Sequence, residues 1–148
     1  MKENINIKNK KVFFQYELLE KYTAGIILTG TEIKSIRSGN ISFTDSFCVF
    51  LENELWVTGM HISEYKFWTY KNHNPKRNRK LLLNKTELKK IQRKVTEKGF
   101  TIVPVRCYIN EDNFAKIEIA IARGKKSFDK REDIKTRDNK REMDRNLS

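Results

Sequence analysis

From Phe114 the chain reads FAKIEIAIA, with Ile117, Ile119 and Ile121 on one face and Lys116 and Glu118 on the other. A period of two belongs to a strand with one face in a core. FTIVPVRCYI, Phe100 to Ile109, is more continuously apolar, and the turn Asn110-Glu111-Asp112-Asn113 joins the two. Upstream, DSFCVFLE and ELWVTGMHI form another pair around Glu52-Asn53-Glu54. VFFQYELLEKY and TAGIILTG, rich in β-branched and aromatic residues, read as two more strands, with Thr23-Ala24-Gly25 between or near them. The period becomes helical twice. In TEIKSIRSG, Ile33 and Ile36 lie three apart, Thr31 caps the start and Gly39 ends the turn. In NKTELKKIQRKVTEKG, Leu88, Ile91 and Val95 form a stripe, Asn84 and Glu87 stand at capping-box spacing, and Gly99 closes the helix.

About six short strands with two helices predict a mainly β chain with short helices. An oligonucleotide-binding (OB)-type closed β-barrel is the expected architecture, with a β-sandwich as the alternative. The expected division is a flexible N-terminus at 1–8, the barrel at 9–122, and a flexible basic tail at 123–148. From Gly124 onward only Phe128, Ile134, Met143 and Leu147 are large and apolar, too few to offset the entropy of ordering.

Charge changes the picture most. Lys and Arg number 31 against 19 Asp and Glu, a net charge of 31 − 19 = +12 among 148 residues. Such a balance points to nucleic acid, because neutralising phosphates releases counterions. No apolar run approaches the roughly 18–20 residues that span a bilayer, and the first residues lack a signal core. A cytoplasmic protein without a membrane partner is expected. Cys48 and Cys107 sit singly in apolar segments and read as buried, reduced thiols. His61 and His73 lack companions at ligand spacing, so neither metal nor other cofactor is expected. There is no P-loop, GxSxG, HExxH or paired-carboxylate motif, and nothing in the spacing of Asp45, Glu52 and His61 requires a nuclease site. A binding protein, not an enzyme, is the expectation.

Several residues carry two readings each. Glu32 falls in the first turn of its helix, where the macrodipole favours an anion; beside Lys34 and Arg37 it could equally accept from a guanine edge. Phe13, Phe14 and Tyr16 follow Lys10 and Lys11, as core rings or as platforms for unstacked bases. The segment Lys66 to Lys80 reads as a long exposed loop. It interleaves Phe67, Trp68, Tyr70 and His73 with Lys76, Arg77, Arg79 and Lys80, a pattern that favours RNA contact. Wound as a helix, the tail aligns Lys126, Lys130, Ile134, Arg137, Arg141 and Arg145 in one stripe. Acidic residues three or four positions before an arginine support it by only about 0.2–0.5 kcal/mol per pair. Such a tail is either merely solvated or becomes helical against phosphates.

These residues, taken in order, resemble the SsrA-binding protein (small protein B) family. The likeness rests on NKK…Y from Asn9 to Tyr16, AGIILTGTEIKSIRSG from Ala24, DSF at Asp45 to Phe47 and RNRKLLLNKTEL from Arg77. It continues through KGFTIVPV from Lys98 and KIEIAIARGKKSFDKREDIKTRD from Lys116. The resemblance implies binding to the tRNA-like domain of transfer-messenger RNA and delivery, with GTP-bound elongation factor Tu, to the A site of a stalled 70S ribosome. It implies that Asn9, Lys10, Lys11, Phe14, Glu32, Lys34, Arg37, Asn84, Lys125 and Lys126 meet RNA. It places Asp129, Lys130, Arg131, Ile134, Arg137 and Arg141 at the decoding centre and mRNA channel, where the tail would become helical. Phe14 stands where the family commonly has histidine; a ring remains for stacking, without a polar nitrogen. A ribosomal or ribosome-assembly protein bound to rRNA is the alternative function.

Overall fold

The structure is a computed structural model and describes residues 5–67 and 72–124. The expected mainly β chain with short helices is what forms. The strands are β1 (Asn6–Lys8), β2 (Tyr16–Ile26), β3 (Ile41–Ser42), β4 (Phe47–Leu51), β5 (Glu54–Thr58), β6 (His61–Ile62), β7 (Arg79–Leu82), β8 (Thr101–Ile109) and β9 (Ala115–Gly124). The helices are α1 (Val12–Gln15), α2 (Gly30–Arg37) and α3 (Lys85–Lys98). The main sheet runs β1-β8-β4-β5-β7-β2-β9, and β8 also pairs with β9. Its hydrogen-bonded neighbours therefore close a ring of six strands, with β1 outside on β8 and the β3–β6 pair forming a separate small sheet.

Alternation fills the ring. Ile117, Ile119 and Ile121 point into one core with Ala24, Ile26, Leu55, Val57, Leu81 and Ile102. Full burial of each large aliphatic side chain contributes about 1.5–3 kcal/mol. Ile36 of α2 and Ile91 of α3 are fully buried in the same cluster, with Leu88 and Val95 partly buried against it. Both cysteines are buried free thiols; burial pushes Cys48 up strongly and Cys107 up to about 12.

The sequence and the structure part in several places, each for a physical reason. Val12–Gln15 is one helical turn instead of the start of a strand. Phe14 and Gln15 donate to the Lys11 carbonyl, and Val12 drops onto Val103, Val105, Ala120 and Ala122, a second small core on the outer side. The two alanines leave room for it, which is why both faces of late β9 are buried. Tyr16–Ile26 is one strand, not two, with a register shift at Leu19. Gly25 lies inside it, and its missing side chain lets Leu82 pack closely: a Cβ there would come 3.3 Å from that of Leu82. Residues 6–8 of the supposedly flexible N-terminus pair with Tyr108, Cys107 and Arg106, because Ile5 and Ile7 pack against the core. β9 continues past Ala122 to Gly124, which pairs with Tyr16, so the strand crosses the expected boundary.

ELWVTGMHI is also interrupted. Glu52 and Asn53 both take positive φ and make the tight β4–β5 turn, but the strand stops at Thr58. Gly59 has φ +76, and a Cβ on it would lie 2.3 Å from the Asp45 backbone oxygen. Only glycine lets these two backbones meet. Gly59→Ala is therefore expected to destabilise the fold by more than about 1 kcal/mol. Urea unfolding measures this; an unchanged midpoint would mean the corner relaxes freely.

Candidate nucleic-acid interface

Helix α2 is fixed by a buried carboxylate. Thr29 is its N-cap, with the Glu32 N–H donating to Thr29 Oγ1 and the Thr29 N–H donating to Glu32 Oε1 at 2.8 Å. This is a reciprocal capping box, so the cap is Thr29 and not Thr31. Glu32 is fully buried and holds two guanidinium groups besides: Arg77 Nη2 donates at 2.5 Å and Arg79 Nε at 2.5 Å. Arg79, also fully buried, donates Nη1 to the Met60 carbonyl at 2.6 Å and Nη2 to the Pro75 carbonyl at 3.0 Å. Arg77 reaches the Ile27 carbonyl at 3.3 Å. One carboxylate thus ties α2 to β7, to the Met60 corner and to the segment around Pro75.

A second pin lies beside it. The Ile62 carbonyl can only accept, so His73 Nε2 donates to it at 2.8 Å, while Nδ1 is hydrogen-bonded to the Thr31 hydroxyl at 2.8 Å. Asn72 holds both the N–H and the carbonyl of Tyr65. The stretch after β6 is therefore tied down at its base. Lys34, on the exposed side of α2, lies over the Tyr65 ring at 5.4 Å.

This geometry corrects several expectations. Glu32 does not face outward to read a base: it has no exposed surface, and three donors occupy its oxygens. Arg79 and His73 belong to the interior, while Lys80 pairs with Glu54 at 2.6 Å. Of the cations assigned to that loop, Lys66 and Lys76 stay exposed. Trp68, Tyr70, Lys125, Lys126, Asp129, Lys130, Arg131, Ile134, Arg137, Arg141 and Arg145 lie outside the described residues.

The remaining candidates divide. Lys10 and Lys11 are exposed, and with Lys8 and Asn9 they line a groove shared with Ile41–Thr44. Those partners follow soon after Arg37, so the N-terminal lysines and the end of α2 border one stretch of chain. Lys34 and Arg37 are exposed on α2. Asn9 is half-buried: its N–H donates to the Val105 carbonyl and its side-chain amide to the Pro104 carbonyl, each at 2.8 Å. Phe14 is half-buried, whereas Phe13 is exposed with Lys21 over its ring at 5.9 Å. Asn84 is exposed and caps α3 by accepting from the Glu87 N–H at 2.8 Å.

The fold and this surface define a small, basic, mainly β protein with exposed Lys8, Lys10 and Lys11 along a groove, and exposed Lys34 and Arg37 on a helix that a buried polar network holds in place. The description "SmpB protein" matches residues 6–148. An SsrA-binding protein of Bacteroides thetaiotaomicron is 58% identical over 142 residues, 96% of this chain and 95% of the relative. One of Parabacteroides distasonis is 60% identical over 142 residues, covering 96% and 93%. A solved structure described as "tmRNA-SmpB: a journey to the center of the bacterial ribosome" superposes with TM-score 0.71 at 45% identity, covering 83% of this chain and 86% of that one. The chain belongs to the SmpB family.

Burial alone would push the Glu32 carboxyl up. The Arg77 hydrogen bond, the Thr29 N–H and Arg79 together outweigh it and hold it below the usual carboxylate range. A depressed native value contributes stability above the unfolded value of about 4.3, lost as pH falls through the native one. Glu32→Gln should cost about 3–5 kcal/mol at pH 7, since it leaves the Arg79 charge buried and uncompensated. It should also remove part of the acid-induced loss expected of the parent below about pH 4. Chemical denaturation across pH measures both, and a cost under about 1 kcal/mol would mean the pair does not hold α2.

Proposed function

We propose that this protein binds the tRNA-like domain of transfer-messenger RNA and delivers it to the A site of stalled ribosomes, where incomplete proteins are tagged. The carrying observation is the SmpB match, which runs through nearly the whole chain, together with relatives named SsrA-binding protein. The neighbouring structure, described as tmRNA-SmpB and the bacterial ribosome, supports the same two partners. GTP-bound elongation factor Tu is the further partner we assign to the delivery complex. The site of action is the cytoplasm; among the described residues no helix is long and apolar enough to cross a membrane. The role is binding without catalysis.

In this reading the closed ring of strands is an OB-type barrel that carries the RNA-binding surface. Lys10, Lys11, Lys34 and Arg37 supply positive charge to phosphates, which fits their exposure, the first two along the groove and the others on α2. Asn9, Glu32 and Asn84 act through the backbone or side chains they hold. Phe14, Lys125 and Lys126 remain contacts carried by the family likeness. Asp129, Lys130, Arg131, Ile134, Arg137 and Arg141 act on the ribosome, where the tail becomes helical along the mRNA channel.

The test is to recover and sequence the RNA that co-purifies from the protein's own cells. Transfer-messenger RNA should be enriched far beyond its cellular share; ribosomal RNA alone would favour an assembly protein. Ending the chain after Lys126, two residues beyond the end of β9 and with both lysines of the GKK motif kept, should leave that enrichment nearly intact and abolish tagging. Loss of enrichment would overturn the division between body and tail.

A further inference from the structure

The motif Asp45-Ser46-Phe47 takes no part in the framework around Glu32. It lies between β3 and β4 and lines a groove of about 360 Å³ together with Lys11, Gln15 and Tyr16. Its backbone is held. Asp45 has φ 62, in the left-handed region; its carbonyl packs against Gly59, where no side chain would fit. The Ser46 hydroxyl donates to the Phe43 carbonyl at 2.6 Å.

The Asp45 carboxylate is exposed and has no hydrogen-bond or ion-pair partner among the described residues. The neighbouring wall supplies Lys11, also exposed, and the Phe47 ring, 44% exposed. In a chain of net charge +12, an unpaired anion beside a lysine repels a phosphate backbone. It becomes favourable when it accepts hydrogen bonds from a base. Guanine alone among the four bases presents two adjacent donors, N1–H and N2–H, on its Watson–Crick edge, matching the two oxygens of a carboxylate. An exposed ring nearby offers the stacking surface an unstacked base needs.

We propose that this groove receives one unstacked guanine nucleotide of the bound RNA, its donor edge on Asp45, its face toward Phe47 and its phosphate toward Lys11. The proposal rests on the RNA-binding function above and adds a position at which sequence is read.

Asp45→Asn tests it by sign. Asparagine tolerates the same left-handed backbone, so the turn is kept. Removing one negative charge from a merely solvated position leaves RNA affinity unchanged or slightly tighter. Loss of a base contact weakens it about tenfold. The probe is full-length protein with a transcript of the tRNA-like domain at fixed salt; Asp112→Asn, in the β8–β9 turn, is the charge control. A second readout is the backbone amides of Asp45, Ser46 and Phe47 during titration with GMP and then UMP. GMP should shift them at several-fold lower concentration.

Weaker binding by Asp45→Asn alone, with the GMP preference, supports the slot. Unchanged or tighter binding beside a tight parent complex overturns the slot and leaves the RNA-binding function standing. A parent that binds the transcript no better than an ordinary tRNA overturns both. If Phe128→Ala moves the same amides without RNA, the chain's own tail occupies the groove, and the nucleotide assignment is wrong.

Discussion

Everything above the surface depends on a carboxylate beneath it. Glu32 receives the N–H of its own helix cap and two guanidinium groups. Charges this deep would each be costly alone, and removing one partner strands the other. The arrangement is tolerated because the donors of Arg79 are spent on the Met60 and Pro75 carbonyls as well as on Glu32. The network therefore specifies where α2, β7 and the Pro75 segment sit relative to one another. His73, bridged between Thr31 and Ile62, reinforces that choice with hydrogen bonds from both ring nitrogens.

The same constraint sorts the cations. Of the many basic residues, Arg79 is consumed inside, Arg77 is half-consumed, and Lys80, Lys94, Arg106 and Arg123 meet carboxylates at or near the surface. Lys10, Lys11 and Arg37 take part in none of these ion pairs, and all three stay exposed, as does Lys34. Exposed pairs contribute little to stability, with a median of about 0–1 kcal/mol. Their effect is to thin out the positive charge where they lie.

Much of the fold was legible in the sequence because periodicity reports on one face at a time. Ile117, Ile119 and Ile121 were read correctly as inward, and Asn84 and Gly99 marked both ends of α3. Thr29-Gly-Thr-Glu32 carried the capping-box spacing, yet Thr31 drew attention because it stands nearer the helical pattern. Val12–Gln15 misled because its residues favour strands; the alanines that admit Val12 lie over a hundred positions away in the chain. Arg79 was illegible for a similar reason. In RNRK it looks like any surface arginine, and nothing local announces a carboxylate 47 residues earlier. Family likeness marked Glu32 as important, but burial decides that it acts as a strut and not as a reader.

The most direct measurement is a high-resolution structure of the protein bound to the tRNA-like domain of transfer-messenger RNA. Glu32 should remain between Arg77 and Arg79, with no nucleotide atom within hydrogen-bonding distance of its oxygens, while Lys10, Lys11, Lys34 and Arg37 face phosphates. A Glu32 carboxylate turned outward onto a base, with Arg79 released, would contradict the account at its foundation.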